Sequence, residues 1–266
     1  MIGIKNIVYE MIKVFNLIGK LSLSTFENLG KITLFFFMSF FWLFKKPFYF
    51  KQFLSQFLDI AFYSLPVVGL TTFFSGMVLA LQTFSGFDNF NDESTISKIV
   101  LTSILRELGP VLAGLMVCGR VGAKMAAEIA TMRVSNQIDA LETLSTRPMQ
   151  FLISTRLLAS IIAVPFLVLV GNIIGVFGGF IVATFKLDLN PILYMISTID
   201  NFNSIDLIQG LIKALVFGII ISIISCYFGF NASGGAEGVG RATTISVVTA
   251  STLILTSTYF ITALFI

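Results

Sequence analysis

Four stretches of this chain carry no Asp, Glu, Lys or Arg over residues 60–87, 157–185, 214–236 and 242–266. A helix needs ~20 consecutive apolar residues to cross the hydrocarbon of a bilayer, and each stretch supplies them. A water-soluble domain is roughly 45–50% apolar and about 25% charged. Here the figures are 56% hydrophobic and 12% charged, with a mean hydropathy of +0.94. The chain is therefore expected to be an all-α integral membrane protein. Residues 99–119 make a fifth span if Arg106 and Glu107 are tolerated inside it. The expected organisation is interfacial or re-entrant N-terminal helices over residues 1–51, then one membrane domain over 52–266. Its spans are placed at about 60–87, 99–119, 157–185, 207–231 and 242–266.

Charge sets the orientation. Lys5, Lys13, Lys20, Lys31, Lys45, Lys46 and Lys51 precede the first span against Glu10 and Glu27, whereas the link after it, FDNFNDES, is acidic. The positive-inside rule places the N-terminus in the cytosol or its equivalent. Arg120, Lys124, Arg133, Arg147 and Arg156 follow the second span, and Asp188 and Asp200 with Lys186 follow the third, as five alternating spans require. Recurrent lysines and the lack of a small-residue cleavage site argue against a signal peptide. Ile4, Val8, Met11, Phe15 and Ile18 recur at helical spacing away from the lysines, as in a basic helix lying on an anionic surface. ITLFFFMSFFWLF, residues 32–44, has only 13 residues, which favours an interfacial or re-entrant helix over a thinned sixth span.

Several chemistries are disfavoured. There is no histidine, which removes the commonest proton shuttle and metal ligand. Cys118 and Cys226 sit in apolar segments without neighbouring ligand types, so neither a disulfide framework nor a metal site is expected. A net charge of +3 spread along the chain gives nucleic acid no concentrated footprint.

Arg106 and Glu107 are the residues most in need of explanation. A charge at mid-bilayer costs at least ~2.5–3.5 kcal/mol, so such residues face a bundle interior or a wet cavity. Adjacent helical positions point apart, so each needs a partner on another helix or on a ligand. The two readings are a polar substrate contact and a pair of interhelical clamps. Gly119, Ala123 and Ala127 recur every four residues, as do Gly171, Gly175 and Gly179, a spacing that lets helix backbones approach closely in lipid. Pro110 and Pro165 each remove a helical hydrogen bond.

The link after the second span, KMAAEIATMRVSNQIDALETLSTRPMQF, is polar and helix-prone. Asn136 and Asp139 are placed to cap a short helix carrying Ile138, Leu141 and Leu144 on one side, for docking on a partner or on the bilayer. NASGGAEGVGRATT resembles a phosphate-binding loop only superficially. Arg241 stands where the lysine belongs, Ala242 replaces the hydroxyl residue, and no strand precedes it. A turn is expected there, and no ATP site in this chain.

ELGPVLAGLMVCGRVGAKMAAEIATMRVSNQIDALETL, residues 107–144, closely resembles the hallmark region of the MlaE/YrbE-type ABC transporter permeases. GGAEGVGRATT, residues 234–244, looks like their second signature, and FFSGMVLALQ, residues 73–82, fits their first span. The resemblance, in order and spacing over nearly the whole chain, implies a homodimeric permease with five spans per chain. It also implies a separate ABC ATPase, a partner carrying MCE domains, and phospholipid or a related glycerolipid as cargo between envelope membranes. On this resemblance the segment 128–144 is a cytosolic coupling helix, with Glu128, Arg133, Gln137, Asp139 and Leu141 as candidate ATPase contacts. Arg106 and Glu107 then lie near the lipid cavity. Ser135 and Asn136 depart from the family pattern, in which Thr and Glu are common.

No catalytic residue, bound cofactor or metal is expected, and ATP is used by the partner subunit. The competing function is an ion-coupled secondary transporter using Glu107, although no inverted repeat is visible. An intramembrane enzyme lacks the residues for a hydrolytic dyad, and a scaffold that recruits an ATPase is a further alternative. Abundant Phe, Ile, Lys and Asn suit an AT-rich genome. The expected location is the plastid (chloroplast) inner envelope, with a bacterial inner membrane as the alternative.

Overall fold

The computed structural model describes residues 29–86 and 93–265, with residues 19, 20, 23, 26 and 27. The basic helix expected from Ile4 to Ile18 and most of the acidic link after the first span lie outside them. Among the described residues every regular element is helical, and five helices are long and apolar enough to cross a membrane.

Helix α1 is Leu29–Leu43, apolar but shorter than the five crossing helices. Its Phe35 and Ser39 are buried, and Ser154 donates to the Ser39 carbonyl at 2.9 Å, tying this helix to the start of the third span. The first span, Phe50–Gly86, is broken at 62–64 into α2 (Phe50–Ala61) and α3 (Leu65–Gly86). The second is α4, Ser94–Val134, helical throughout but widened by π-turns at Ile104–Leu108 and Cys118–Gly122. Short α5, Gln137–Thr143, follows, then the third span α6, Met149–Phe185, which holds Pro165. After α7, Pro191–Asp200, come the last two spans, α8 (Ser204–Phe230) and α9 (Gly235–Leu264).

Four boundaries differ from expectation. The second helix does not stop near residue 119 but runs on through Arg120, Lys124 and Glu128. The first and third spans start earlier, at Phe50 and Met149, and the fifth begins at Gly235. The reason is the same in each case: a helix satisfies its own backbone, so it continues past the hydrocarbon wherever its charges find partners or water. Residues 128–144 are correspondingly two pieces, the end of α4 and the separate α5. Asn136 between them has φ 56 and makes no side-chain cap bond, so the expected cap is absent. Side-chain capping needs an extended residue at that position, and Asn136 is left-handed instead.

Helix α7 was not anticipated. Asn190 caps it by accepting from the Ile192 and Leu193 amides, and Pro191 fixes its first turn. Tyr194 then enters a core with Ala80, Ile96, Val100 and Ile104.

Helices α3 and α6 meet backbone to backbone: a Cβ on Gly76 would collide with the Gly175 carbonyl. Helix α8 is the most enclosed span, with 56% of its apolar window buried against 11% for α9. Its Phe217 and Ile221 share a core with Val117, Leu167 and Ile254.

Candidate functional site

The site begins with a missing donor. Pro110 has no N–H, so the Arg106 carbonyl, four residues earlier, loses its helical partner. The backbone widens there into the π-turn Ile104–Leu108, with the Gly109 amide reaching the Ile104 carbonyl. Lys213 from α8 fills the gap: its Nζ donates to the Arg106 carbonyl at 2.8 Å and lies 2.7 Å from Glu107 Oε1. Gly210 permits the approach, because a Cβ there would collide with the Leu105 carbonyl.

Arg106 and Glu107 thus turn to different neighbours. Arg106 Nε donates to Gln209 Oε1 at 2.9 Å and lies 3.5 Å from Asp206 Oδ1. Glu107 Oε1 also accepts from the Thr262 hydroxyl on α9 at 3.0 Å. Asp206, Gln209 and Lys213 occupy one face of α8 at helical spacing. Two cations and two carboxylates balance to zero, which makes the cluster tolerable in a low-dielectric bundle. Its members differ in exposure: the Lys213 side chain is 0% exposed, Asp206 13%, Arg106 32% and Glu107 39%. Among the described residues the hydrogen bonding of Arg106 runs through Nε, leaving both terminal guanidinium nitrogens open.

Sequence reasoning missed Asp206, Gln209, Lys213 and Thr262. The i, i+3, i+7 recurrence of Asp206, Gln209 and Lys213 inside an apolar stretch was the available signal. Thr262 carried none, since threonine is ordinary in a span.

The basic ends of the helices hold a second polar group. Arg120 donates to Ser64 Oγ at 2.7 Å and to the Asp59 carbonyl at 3.4 Å, joining α4 to the break in the first span. Lys124 lies 2.8 Å from Asp59 and 3.7 Å from Glu128. Glu128 in turn accepts from buried Arg156 at 2.9 Å. Arg133 and Asp139 pair at 2.7 Å and so pin α5 to the end of α4. Gln137 and Asp139 remain exposed, while Leu141 packs with buried Ile138. A cleft of about 430 Å3 opens beside this turn, lined by Thr131, Val134, Ser135, Ala236 and Val239.

Of the small-residue positions, Gly171, Gly175 and Gly179 lie against Thr72, Ile104 and Val100. Gly119 is exposed with nothing within 4 Å of where its Cβ would stand, and Ala123 and Ala127 are half-buried. Within the chain α4 packs instead through Gly114 on Phe217 and Gly122 on Ile221 and Ser225. Among the described residues no three His, Cys, Asp or Glu side chains converge as a metal site would need.

Known proteins align with the chain along most of its length. The family model described as Permease MlaE matches residues 53–264. A probable ABC transporter permease protein of Rickettsia prowazekii is 54% identical over 255 residues, which is 96% of this chain and 98% of that protein. The intermembrane phospholipid transport system permease protein MlaE of Haemophilus influenzae is 32% identical over 252 residues, 93% of this chain and 95% of its own. The chloroplastic protein Trigalactosyldiacylglycerol 1 of Arabidopsis thaliana is 37% identical over 185 residues, 70% of this chain and 53% of that protein.

Proposed function

The chain belongs to the MlaE permease family, and from that membership we propose that it is the membrane subunit of an ABC transporter moving phospholipid or a related glycerolipid between envelope membranes. A separate ATPase drives it, and an MCE-domain protein receives or delivers the lipid. Two copies of the chain enclose the path. The exposed outer face of α9 supports this last point: α9 touches the bundle through Ile254 and Thr262, yet only 11% of its apolar window is buried inside one chain.

The observation that carries the reading is the partly exposed Arg106, held through Nε by Gln209 and Asp206 with its terminal nitrogens free among the described residues. A guanidinium edge is the geometry that grips a phosphodiester by two parallel hydrogen bonds. Acyl chains need the apolar lining that the surrounding Phe and Leu residues supply. Glu107 and Lys213 hold the site in register and neutralise it when no headgroup is present. ATP work then enters at the other end, through α5 and the end of α4, where Gln137 and Asp139 face outward and Arg133 braces them.

The Rickettsia and Haemophilus relatives support placement in a bacterial inner membrane, and the Arabidopsis relative supports a plastid envelope.

The test is purification from native membranes in mild detergent, followed by mass spectrometry of bound proteins and lipids. Recovery of an ATPase, an MCE-domain protein and stoichiometric glycerolipid is the expected result. A stable complex without an ATPase, whose transport responds to ionophores and ignores ATP, would replace this reading with ion coupling through Glu107.

A further inference from the structure

A group of cations and aromatic rings is built at the basic end of the molecule, where α1 meets the start of α6. Gln150, 6% exposed, donates through Nε2 to the carbonyls of Lys45 at 2.7 Å and Pro47 at 2.9 Å. Tyr49 packs edge-on against Phe151 at 5.0 Å. The 44–49 loop is thereby fixed against α6, and with it the positions of its lysines. Trp42 lies at the centre: Lys45 Nζ is 4.6 Å from its ring and Arg147 Cζ 4.4 Å. Lys45 also lies over Phe41 at 4.5 Å.

Two cations on one indole repel each other. Among the described residues no carboxylate forms an ion pair with Lys45, Lys46, Lys51 or Arg147, although carboxylates pair with Lys31, Arg106, Lys124, Arg133, Arg156 and Lys213. The local charge is positive, concentrated and held by a buried side chain. Phe41, Phe44 and Phe48 beside it are 59%, 73% and 52% exposed and offer apolar surface immediately next to the charge. An amphiphile with an anionic head fits both halves.

We propose that Trp42, Lys45 and Arg147 bind the headgroup of an anionic phospholipid in the leaflet at the basic end, as a resident lipid distinct from the cargo. The separation from the Arg106 cluster follows from topology. Gln150 opens α6, whereas Asp206 opens α8, and one membrane crossing lies between those two starts. The resident lipid neutralises Lys45 and Arg147 and clamps α1 to α6.

Trp42 is the only tryptophan of the chain, so its fluorescence reports on this site alone. The full chain is reconstituted in phosphatidylcholine vesicles containing graded fractions of phosphatidylglycerol or phosphatidylcholine brominated on the acyl chains. Each basic residue near an anionic surface contributes about 1 kcal/mol, roughly a fivefold preference. Brominated phosphatidylglycerol is therefore expected to quench Trp42 with a relative association constant at least about fivefold above brominated phosphatidylcholine. The K45Q/R147Q variant should bring that ratio close to unity with unchanged circular dichroism, as both side chains are exposed and, among the described residues, form no ion pair. Arg241→Gln, also at the basic end but on α9, should leave the ratio unchanged. Equal quenching by the two lipids overturns the proposal, as does a preference that survives in K45Q/R147Q. An equal loss in Arg241→Gln would assign the preference to the diffuse field of the basic end and remove the site. Displacement by millimolar inorganic phosphate would also overturn it in favour of a soluble anion.

Discussion

Lys213 is the side chain on which the intramembrane cluster turns, since it is fully buried and serves both the Arg106 carbonyl and the Glu107 carboxylate. Breaking a buried pair by removing one partner costs about 3–5 kcal/mol, and the 39% exposure of Glu107 puts this pair at the lower end. Lys213→Met should lower the melting temperature of the detergent-solubilised protein sharply, and K213M/E107Q should recover part of the loss. A single variant as stable as the native chain would mean that the cluster is hydrated and not buried. Tyr194 offers a contrasting case outside the spans. Burial pushes its phenol up to about 12, and its hydroxyl has no hydrogen-bond partner among the described residues. The unfolded chain releases this proton near ~10, so stability is intact below that pH and falls as pH rises from about 10 to 12, by roughly 2–3 kcal/mol at most. Tyr194→Phe should abolish that alkaline decline and raise stability at neutral pH by about 1 kcal/mol. Thermal melts of both proteins between pH 8 and 11 measure the difference. Arg106 and Glu107 were legible in the sequence because charge interrupts an apolar run. Lys213 was not, because it sits at the edge of a charge-free run that starts at Ala214 and reads there as a boundary.

At the scale of helices, the number of spans was legible and their ends were not. Hydropathy marks where lipid is, whereas α4 continues through Arg120, Lys124 and Glu128 on hydrogen bonds and ion pairs with residues distant in sequence. The π-turn at Ile104–Leu108 was half legible: Pro110 announced a lost hydrogen bond, but which neighbour would restore it depended on α8. Small-residue spacing had the same limit, since it identifies a face able to pack without saying which face does. Gly76 and Gly119 separate these cases. A Cβ at Gly76 meets the Gly175 backbone, which cannot swing aside, while one at Gly119 meets nothing within 4 Å. Gly76→Ala should force α3 from α6 and cost about 1–3 kcal/mol or more. Gly119→Ala should be neutral within about 0.5 kcal/mol or gain helix propensity. Folded yield and melting temperature in detergent check both, and a tolerated Gly76→Ala would mean that the two helices are not in backbone contact.

For the molecule as a whole, the proposed transport cycle would take in force at one end and move lipid at the other, which puts different demands on α5 and α9. The Arg133 and Asp139 pair is exposed, and such a pair contributes only about 0–1 kcal/mol. Asp139→Trp should therefore leave the melting temperature nearly unchanged while abolishing ATP-dependent lipid transfer in reconstituted vesicles, if α5 docks on the ATPase. Unchanged lipid-stimulated ATPase activity and transfer would remove α5 from the coupling path. Helix α9 carries the complementary argument. Val248, Leu255 and Tyr259 are 61%, 54% and 71% exposed, and Thr252 is exposed between them. These positions lie within one narrow face, because steps of four, seven and eleven residues return close to the same angle on a helix. In lipid such a stripe needs no cover on hydrophobic grounds, so its pairing depends on close packing and on hydroxyls such as that of Thr252. A twofold contact along it would bring each position near its own copy. The native thiols Cys118 and Cys226 are buried and free, which gives a quiet background for crosslinking. Single cysteines at Val248, Thr252 and Leu255 should form disulfide-linked dimers in oxidised membranes. Ile173→Cys, 72% exposed on α6, should not. Crosslinking at Ile173 in preference to the α9 stripe would move the proposed dimer contact to α6 and remove α9 from it.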